Sequence, residues 1–137
     1  MSLPSFDSLT VGQRIEPLPL VLTPTIIVAA AIASRDFQAV HHDKDESNRR
    51  GMPNIIMNIL TTNGFISRYV TDWAGPDVRL RSISTRLGVP NYAGDSCKLV
   101  GEIVKVGEAG RREAELQVRI LNSLGEHANS TVVVAFP

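Results

Sequence analysis

The sequence contains only one cysteine, Cys97, among its 137 residues. A single thiol excludes an internal disulfide and any metal site built from several cysteines. Cys97 lies in a strand-like stretch, and no nucleophile motif surrounds it. We therefore expect a small buried side chain there rather than a catalytic thiol, and we expect no metal site.

The chain also lacks an excess of either charge, since 14 Lys and Arg balance 14 Asp and Glu. A nucleic-acid-binding protein usually shows a basic surplus or a basic stripe, so we expect no nucleic-acid partner. The densest basic stretches are Arg79, Arg81 and Arg86, followed by residues 49–50 and 111–112. Their simplest interpretation is as solvated strand faces and loop ends.

Long apolar runs are absent as well. The longest, residues 26–33, is far short of the roughly 20 residues that span a bilayer. Residues 1–7 carry neither the basic region nor the apolar run of a signal peptide, and we expect a cytoplasmic protein with no membrane contact. The length and the 43% hydrophobic content predict a single domain, residues 1–137, with its own core.

Two helices are predicted in the first half of the chain. Thr23-Pro24 starts the first, because threonine caps helices and proline suits the first helical position. A polar excursion over residues 35–51 follows, with Phe37 and Val40 as its apolar anchors. The second helix is predicted from about Ile55 to Tyr69, apolar nearly all round in its first turns and therefore buried. Gly64 within it costs helix propensity, and a close approach to a packed neighbour is one reason for a glycine there.

From residue 79 onward the hydrophobic period changes to two. Residues 113–120 alternate strictly between polar and apolar, which indicates a strand with one solvated face. Further strands are predicted at residues 80–87, 96–106 and 128–136, with tight connections at 107–110 and 122–125. The apolar face of an antiparallel sheet and a buried helix each need covering. The order of elements therefore predicts an α+β hotdog fold, a curved antiparallel sheet wrapped around a central helix.

Asp36 and His41 stand five positions apart just before the predicted central helix. A carboxylate beside an imidazole can fix its tautomer, and the pair can hold a water molecule and exchange protons with it. The same spacing also fits an aspartate that caps a turn and a loop histidine without chemistry. His42 could face the site in place of His41.

The start of the central helix offers a second ingredient. Backbone N–H groups there carry partial positive charge and can stabilise a developing oxyanion. Every helix has such an end, so this feature permits the chemistry without identifying it.

Residues 35–43, Arg-Asp-Phe-Gln-Ala-Val-His-His-Asp, resemble the motif of the MaoC-like (R)-specific enoyl-CoA hydratases, and residues 87–95 resemble the same family's proline and Gly-Asp segment. The likeness extends over about residues 23–136. It implies an enzyme, a hydro-lyase that adds water to an α,β-unsaturated acyl-CoA, with Asp36 and His41 as its catalytic pair. Coenzyme A would belong to the substrate, with no separate cofactor, and some arginines could meet its phosphates.

A closer likeness is carried by residues 34–38, 58–61, 68–76 and 86–90, the third ending in Trp-Ala-Gly-Pro. These stretches resemble the small MaoC-like subunit of bacterial steroid side-chain enoyl-CoA hydratases. The resemblance implies a steroid-CoA substrate with a short unsaturated side chain. It also implies an oligomer, either a homodimer or a heteromer with a second hotdog subunit.

Two positions depart from the general motif. Gln38-Ala39 stands where the family has asparagine-proline, and the usual glycine near the helix start is replaced in residues 57–59. The backbone N–H of Asn58 could still serve the thioester oxygen, and we expect Gln38, Asn58 and Ile59 to contact the substrate. Two alternatives stay open: a hotdog acyl-CoA thioesterase, and a non-catalytic acyl-CoA-binding subunit that completes a partner's pocket.

Overall fold

A computed structural model describes residues 3–108 and 110–137 of the chain. Residues 1, 2 and 109, which belong to the predicted N-terminal segment and the predicted connection at 107–110, lie outside it. The elements in chain order are β1 (Arg14–Val21), α1 (Pro24–Ala33), α2 (Lys44–Arg49), α3 (Ile59–Ala74), β2 (Arg79–Leu87), β3 (Ser96–Val106), β4 (Glu113–Asn122) and β5 (Gly125–Ala135). Short 3₁₀ turns cover Phe6–Ser8 and Ala39–His41.

The five strands form one antiparallel sheet in the order β1-β3-β4-β5-β2. Strand β4 has the alternation expected from its sequence, since Ala114, Leu116, Val118 and Ile120 are buried and the residues between them are partly or fully exposed. The predicted strand at 96–106 matches β3, and β2 and β5 lie within three residues of their predicted bounds. The predicted hotdog architecture is confirmed.

Strand β1 was not predicted from the sequence. It contains Pro17 and Pro19, and its register against β3 shifts between Ile15 and Leu18. Proline cannot donate to a ladder hydrogen bond, so it is tolerated mainly on edge strands and at bulges. Since β1 is the edge strand beside β3, the two prolines fit there although they obscure its strand pattern.

The central helix α3 starts at Ile59, four residues later than predicted. Residues 55–57 are extended instead: Ala93 N donates to Ile55 O and Met57 N to Asn91 O, both at 3.0 Å. Pairing with residues 91–93 therefore uses backbone groups that a helix would need for itself. The first turn is also less buried than predicted, since Ile59 is 43% exposed and Leu60 51%. Deeper in the helix, Ile66 and Val70 are fully buried against the sheet.

The polar excursion has more regular structure than predicted. It contains the Ala39–His41 turn and the helix α2, whose N-cap Asp43 accepts a hydrogen bond from Glu46 N at 3.0 Å. Val40 is buried and anchors the segment as expected. Phe37 is 64% exposed, so its prediction as a second anchor is wrong. Its aromatic side chain remains available to a ligand or to another chain.

A close approach within the chain does not account for Gly64. A Cβ placed there would meet no atom of the described residues within 4 Å, because the residue lies on the exposed side of α3. Gly88 is the position where space is short, since a Cβ there would lie 2.2 Å from Glu126 O. Cys97 on β3 is buried as predicted, and burial raises the pKa of its thiol to about 11.

Candidate active site

His41 is held in one orientation by the backbone. The ring is 6% exposed, and its Nδ1 lies 2.7 Å from Ile56 O. A carbonyl oxygen can only accept, so Nδ1 must carry the hydrogen. Nε2 is therefore the nitrogen that is free to gain or lose a proton.

Asp36 follows the C-terminus of α1, where the chain reverses direction. Arg35 adopts a φ of +57°, and Asp36 N donates to Ala31 O at 2.9 Å. This turn brings Asp36 Oδ2 to 3.3 Å from His41 Nε2. The two residues singled out from the sequence thus lie together, with the carboxylate 24% exposed and the imidazole nearly enclosed.

The contact between Asp36 and His41 has two chemical states. With a neutral ring, both Oδ2 and Nε2 present lone pairs, and a water molecule beside them can donate one hydrogen to each. With a protonated ring, Nε2–H donates directly to the carboxylate, as a charge-assisted hydrogen bond. The arrangement can therefore accept a proton from water and stabilise the imidazolium that results.

Asp36 is kept ionised by its neighbours. The hydrogen bond from the Asn58 side chain lowers the pKa of the Asp36 carboxyl from its ordinary value, with smaller contributions from Gln38 N–H and His41. Partial desolvation opposes them. Hydrogen bonds to the charged form favour that form, so the carboxylate persists well into the acidic range.

Asn58 contributes through its side chain, which the sequence analysis did not foresee. It is 3% exposed and caps α3, with Oδ1 accepting from Thr61 N at 2.9 Å. Its Nδ2 donates to Asp36 Oδ2 at 3.1 Å and to Ser34 Oγ at 3.0 Å. The preference of asparagine for N-cap positions was the sequence signal that could have indicated the true start of α3.

Gln38 and Ile59 are the other two predicted substrate contacts, and they adjoin Asp36 and Asn58 respectively. Gln38 is exposed, and its backbone N is 3.4 Å from Asp36 Oδ1. Ile59 is the first residue of α3, upstream of the first intrahelical bond from Thr62 N to Asn58 O. The amides of Ile59 and Leu60 therefore belong to the first-turn donors that have no partner within a helix.

His42 points away from the pair. Its ring is exposed, and Nε2 lies 3.2 Å from Phe37 O. The ambiguity between the two adjacent histidines is thus resolved in favour of His41 as the neighbour of Asp36.

A second buried histidine, His127 on β5, was not singled out from the sequence. It is 3% exposed, with Nδ1 at 2.7 Å from Val89 O and Nε2 at 2.9 Å from Thr62 Oγ1. Burial lowers the pKa of its imidazole below 6.5. No sequence pattern links residue 127 to residues 62 and 89, because the contacts join β5 to α3 and to a loop.

A family model described as the MaoC like domain matches residues 7–124. The chain belongs to the MaoC-like domain family. The 3-oxo-4,17-pregnadiene-20-carboxyl-CoA hydratase beta subunit of Mycobacterium tuberculosis is 44% identical over 124 residues, which cover 89% of this chain and 92% of the relative. The resemblance to the small subunits of steroid side-chain hydratases is confirmed by this similarity.

Solved structures agree with the family. A chain of the ChsH1-ChsH2 complex from Mycobacterium tuberculosis superposes with a TM-score of 0.89 at 43% identity, covering 93% of this chain and 98% of that chain. The (R)-hydratase from A. caviae involved in PHA biosynthesis gives 0.87 at 22% identity, covering 95% and 98%, which supports the fold.

The described residues were also compared with the requirements for a membrane-spanning helix and for a metal site. No helix within residues 3–108 and 110–137 is both long enough and apolar enough to cross a membrane. In that same part of the chain, no three His, Cys, Asp or Glu side chains are grouped as a metal ion would require.

Proposed function

We propose that this chain is the catalytic subunit of an enoyl-CoA hydratase that adds water across the double bond of an α,β-unsaturated acyl-CoA. The observation that carries the proposal is the 3.3 Å approach of Asp36 Oδ2 to His41 Nε2, with Nδ1 of the same ring fixed on Ile56 O. General acid–base groups placed in this way typically contribute ~10²–10⁴-fold in rate.

In the proposed reaction, water donates its two hydrogens to Asp36 and His41, which leaves a lone pair of its oxygen directed at the β-carbon. His41 Nε2 takes one proton as the new C–O bond forms and the π electrons move to the thioester oxygen. Asp36 stabilises the imidazolium across the 3.3 Å contact. The imidazolium then returns its proton to the α-carbon, which restores the resting pair.

The enolate-like oxygen needs hydrogen-bond donors that are already in place. The first-turn amides of α3 suit this role, because the N-cap residue of that helix, Asn58, donates a side-chain hydrogen bond to Asp36 and Ile59 follows it directly. Each correctly placed donor of this kind is worth ~10²–10³-fold in rate. The Asn58 side chain faces Asp36, so its backbone N–H and those of Ile59 and Leu60 are the proposed oxyanion donors.

The proposed substrate is a steroid-CoA ester with a short unsaturated side chain. The relative that is 44% identical over most of this chain is named for a pregnadiene carboxyl-CoA. Exposed apolar side chains on the segments around the pair suit such a substrate: Ile32, Phe37, Ile59 and Leu60. Coenzyme A enters as part of this substrate, and adding water needs neither a metal nor a redox cofactor.

We also propose that the chain works as an oligomer, with a second hotdog subunit as its partner. The related chain from Mycobacterium tuberculosis was solved in a complex of two differently named proteins, ChsH1 and ChsH2. Exposed apolar patches often mark interaction sites, and the four side chains around the pair form surface that a partner and a substrate tail could cover together.

The test is turnover by the assembled protein, with 3-oxo-4,17-pregnadiene-20-carboxyl-CoA and crotonyl-CoA as probes. Asp36→Asn and His41→Gln should each lower kcat by ~10²–10⁴-fold, because each removes one of the two groups that bind the water. His42→Gln is the matched control and should stay within about threefold, since the ring is exposed and its hydrogen bond to the described residues goes to Phe37 O. The measurement is the rate at which the absorbance of the enoyl group is lost. This rate should be near wild type in His42→Gln and much lower in Asp36→Asn and His41→Gln.

Three results would contradict the proposal. Near-normal turnover in both Asp36→Asn and His41→Gln would remove the catalytic pair from the reaction. Release of free thiol from the acyl-CoA would identify a thioesterase, because water would then be attacking the carbonyl carbon. Stoichiometric acyl-CoA binding without turnover in the assembled protein would identify a binding subunit.

A further inference from the structure

We infer that Asn58 is a positioning residue that fixes the Asp36 carboxylate to the start of the central helix. This inference rests on the proposed hydratase function and adds a residue to it. It assigns Asn58 a side-chain role, distinct from the backbone donor that the family's usual glycine would supply.

The orientation of the Asn58 amide is fixed by chemistry. Thr61 N is a donor, so the atom that caps it at 2.9 Å must be Oδ1, and Thr61 Oγ1 donates to the same oxygen at 2.5 Å. The amide nitrogen is thereby turned toward α1. Nδ2 donates one hydrogen to Ser34 Oγ, at an N–O distance of 3.0 Å, and the other to Asp36 Oδ2, at 3.1 Å.

Ser34 completes the link to α1. Its hydroxyl lies 2.8 Å from Ala30 O and 3.1 Å from Ala31 O, so its hydrogen is directed at the helix and its lone pair receives Asn58. The C-terminus of α1 and the N-terminus of α3 are thus joined through one buried amide. A buried polar network whose donors and acceptor are all engaged is rigid, so the Asn58 amide is held in this orientation.

The consequence for Asp36 is both geometric and electrostatic. Asn58 holds Oδ2, the oxygen that faces His41 Nε2 at 3.3 Å, and so sets the distance across which the water must fit. His41 is the one titratable group that acts on this carboxylate among the described residues, and the other contacts come from the neutral Asn58 and Gln38. Losing the Asn58 donor should therefore make the Asp36–His41 pair hold a proton more tightly.

Asn58→Ser separates positioning from helix capping. Serine caps helices about as well as asparagine, but it has no amide to reach Asp36. We expect kcat for the pregnadiene carboxyl-CoA to fall about tenfold with KM within about threefold, since a charge-assisted hydrogen bond acts on the reacting group rather than on binding. The acid limb of kcat/KM should move to higher pH.

Asn58→Asp is the second variant, nearly identical in size and also a good cap. A carboxylate at residue 58 would replace the donor with a like charge beside Asp36. We expect a larger loss of kcat, about 100-fold, and a larger upward movement of the acid limb. From wild type through Asn58→Ser to Asn58→Asp, kcat should therefore fall and the acid limb should move to higher pH.

Asn54→Ser is the matched control. Asn54 is a half-buried asparagine whose amide, like that of Asn58, is hydrogen-bonded at both ends, with Nδ2 donating to Ala93 O and Oδ1 accepting from Ile55 N. It contacts no member of the catalytic pair. The variant should lose stability to urea but keep the wild-type shape of the pH profile.

Wild-type kcat and pH profile in both Asn58 variants would overturn the inference. A loss of stability equal to that of Asn54→Ser, with an unmoved pH profile, would overturn it too, because the residue would then act only in the fold. Asp36→Asn and His41→Gln are measured alongside. If those two variants are inactive while the Asn58 variants are normal, the hydratase proposal survives and the positioning role does not.

Discussion

His41 and His127 are anchored in the same way and differ in what faces the second ring nitrogen. Each is buried, and each donates Nδ1–H to a backbone carbonyl at 2.7 Å. Nε2 of His127 meets the Thr62 hydroxyl, which can donate to it at 2.9 Å. Nε2 of His41 meets the Asp36 carboxylate, which cannot donate.

Under the proposed function, this difference separates a structural histidine from a catalytic one. A hydroxyl completes the hydrogen bonding of a neutral ring, so His127 has no remaining need for a proton or a water molecule. An ionised carboxylate leaves the neutral ring's lone pair unmatched until water or a proton arrives. The same anchoring therefore gives a packed imidazole with both ring nitrogens hydrogen-bonded at His127 and, at His41, the nitrogen that we propose as the general base.

The sharpest test of the comparison is to replace each ring with glutamine. His41→Gln should lower kcat by ~10²–10⁴-fold, because it removes the proposed proton acceptor. His127→Gln should leave kcat within a few-fold, because His127 touches none of the reacting groups. Hydration rates of the assembled variants provide the measurement, and similar losses at the two positions would contradict the distinction.

A smaller effect is expected from Thr62→Val, which removes the hydroxyl that completes His127. An unsatisfied buried ring nitrogen should lower the free energy of unfolding by about 1–3 kcal/mol, as measured in urea. Thr71→Val on the same helix is the control, since among the described residues that hydroxyl bonds to the carbonyls of Ser67 and Arg68 within its own helix. It should change stability by less than about 0.5 kcal/mol. Equal losses in the free energy of unfolding would show that the hydrogen bond from Thr62 to His127 adds no stability beyond that of an ordinary helix threonine.

The smallest effect concerns the pH dependence of stability. His127 has a folded pKa lowered from 6.5 by burial, so the unfolded chain binds a proton more readily than the folded one. The neutral His127 therefore contributes its full share to the free energy of unfolding above pH 6.5. This contribution is lost as the pH falls toward the folded pKa, and the free energy of unfolding then changes by up to about 1.4 kcal/mol per pH unit. Urea unfolding between pH 7.5 and 5 should show this slope in the wild type.

His127→Gln should flatten that slope, and His42→Gln should leave it unchanged because its ring is exposed. A slope that survives in His127→Gln would place its origin elsewhere. The pKa of Asp36 is lowered from 3.8, so the stabilising contacts of its carboxylate are lost only when the pH falls below that value. Asp36 therefore does not affect the slope measured between pH 7.5 and 5.

Much of the fold could be predicted from the sequence, because strand alternation is a local property. The strict period of two in β4 and the apolar pattern of β3 give the strands within a few residues. Errors occurred where tertiary contacts override local preference. The apolar run at 55–57 suits a buried helix as well as an extended segment, and pairing with residues 91–93 decided for the latter.

By itself, the sequence determined four of the five strands, the presence of a central helix and the five-residue spacing that brings Asp36 and His41 into one segment. Only the tertiary structure decided which histidine faces Asp36, which nitrogen is free, and that Asn58 reaches the carboxylate from 22 residues away. Periodicity and capping are set by neighbours in the chain, and so they can be read along it. Hydrogen bonds between distant residues depend on how the elements pack, and local sequence preference carries no record of that geometry.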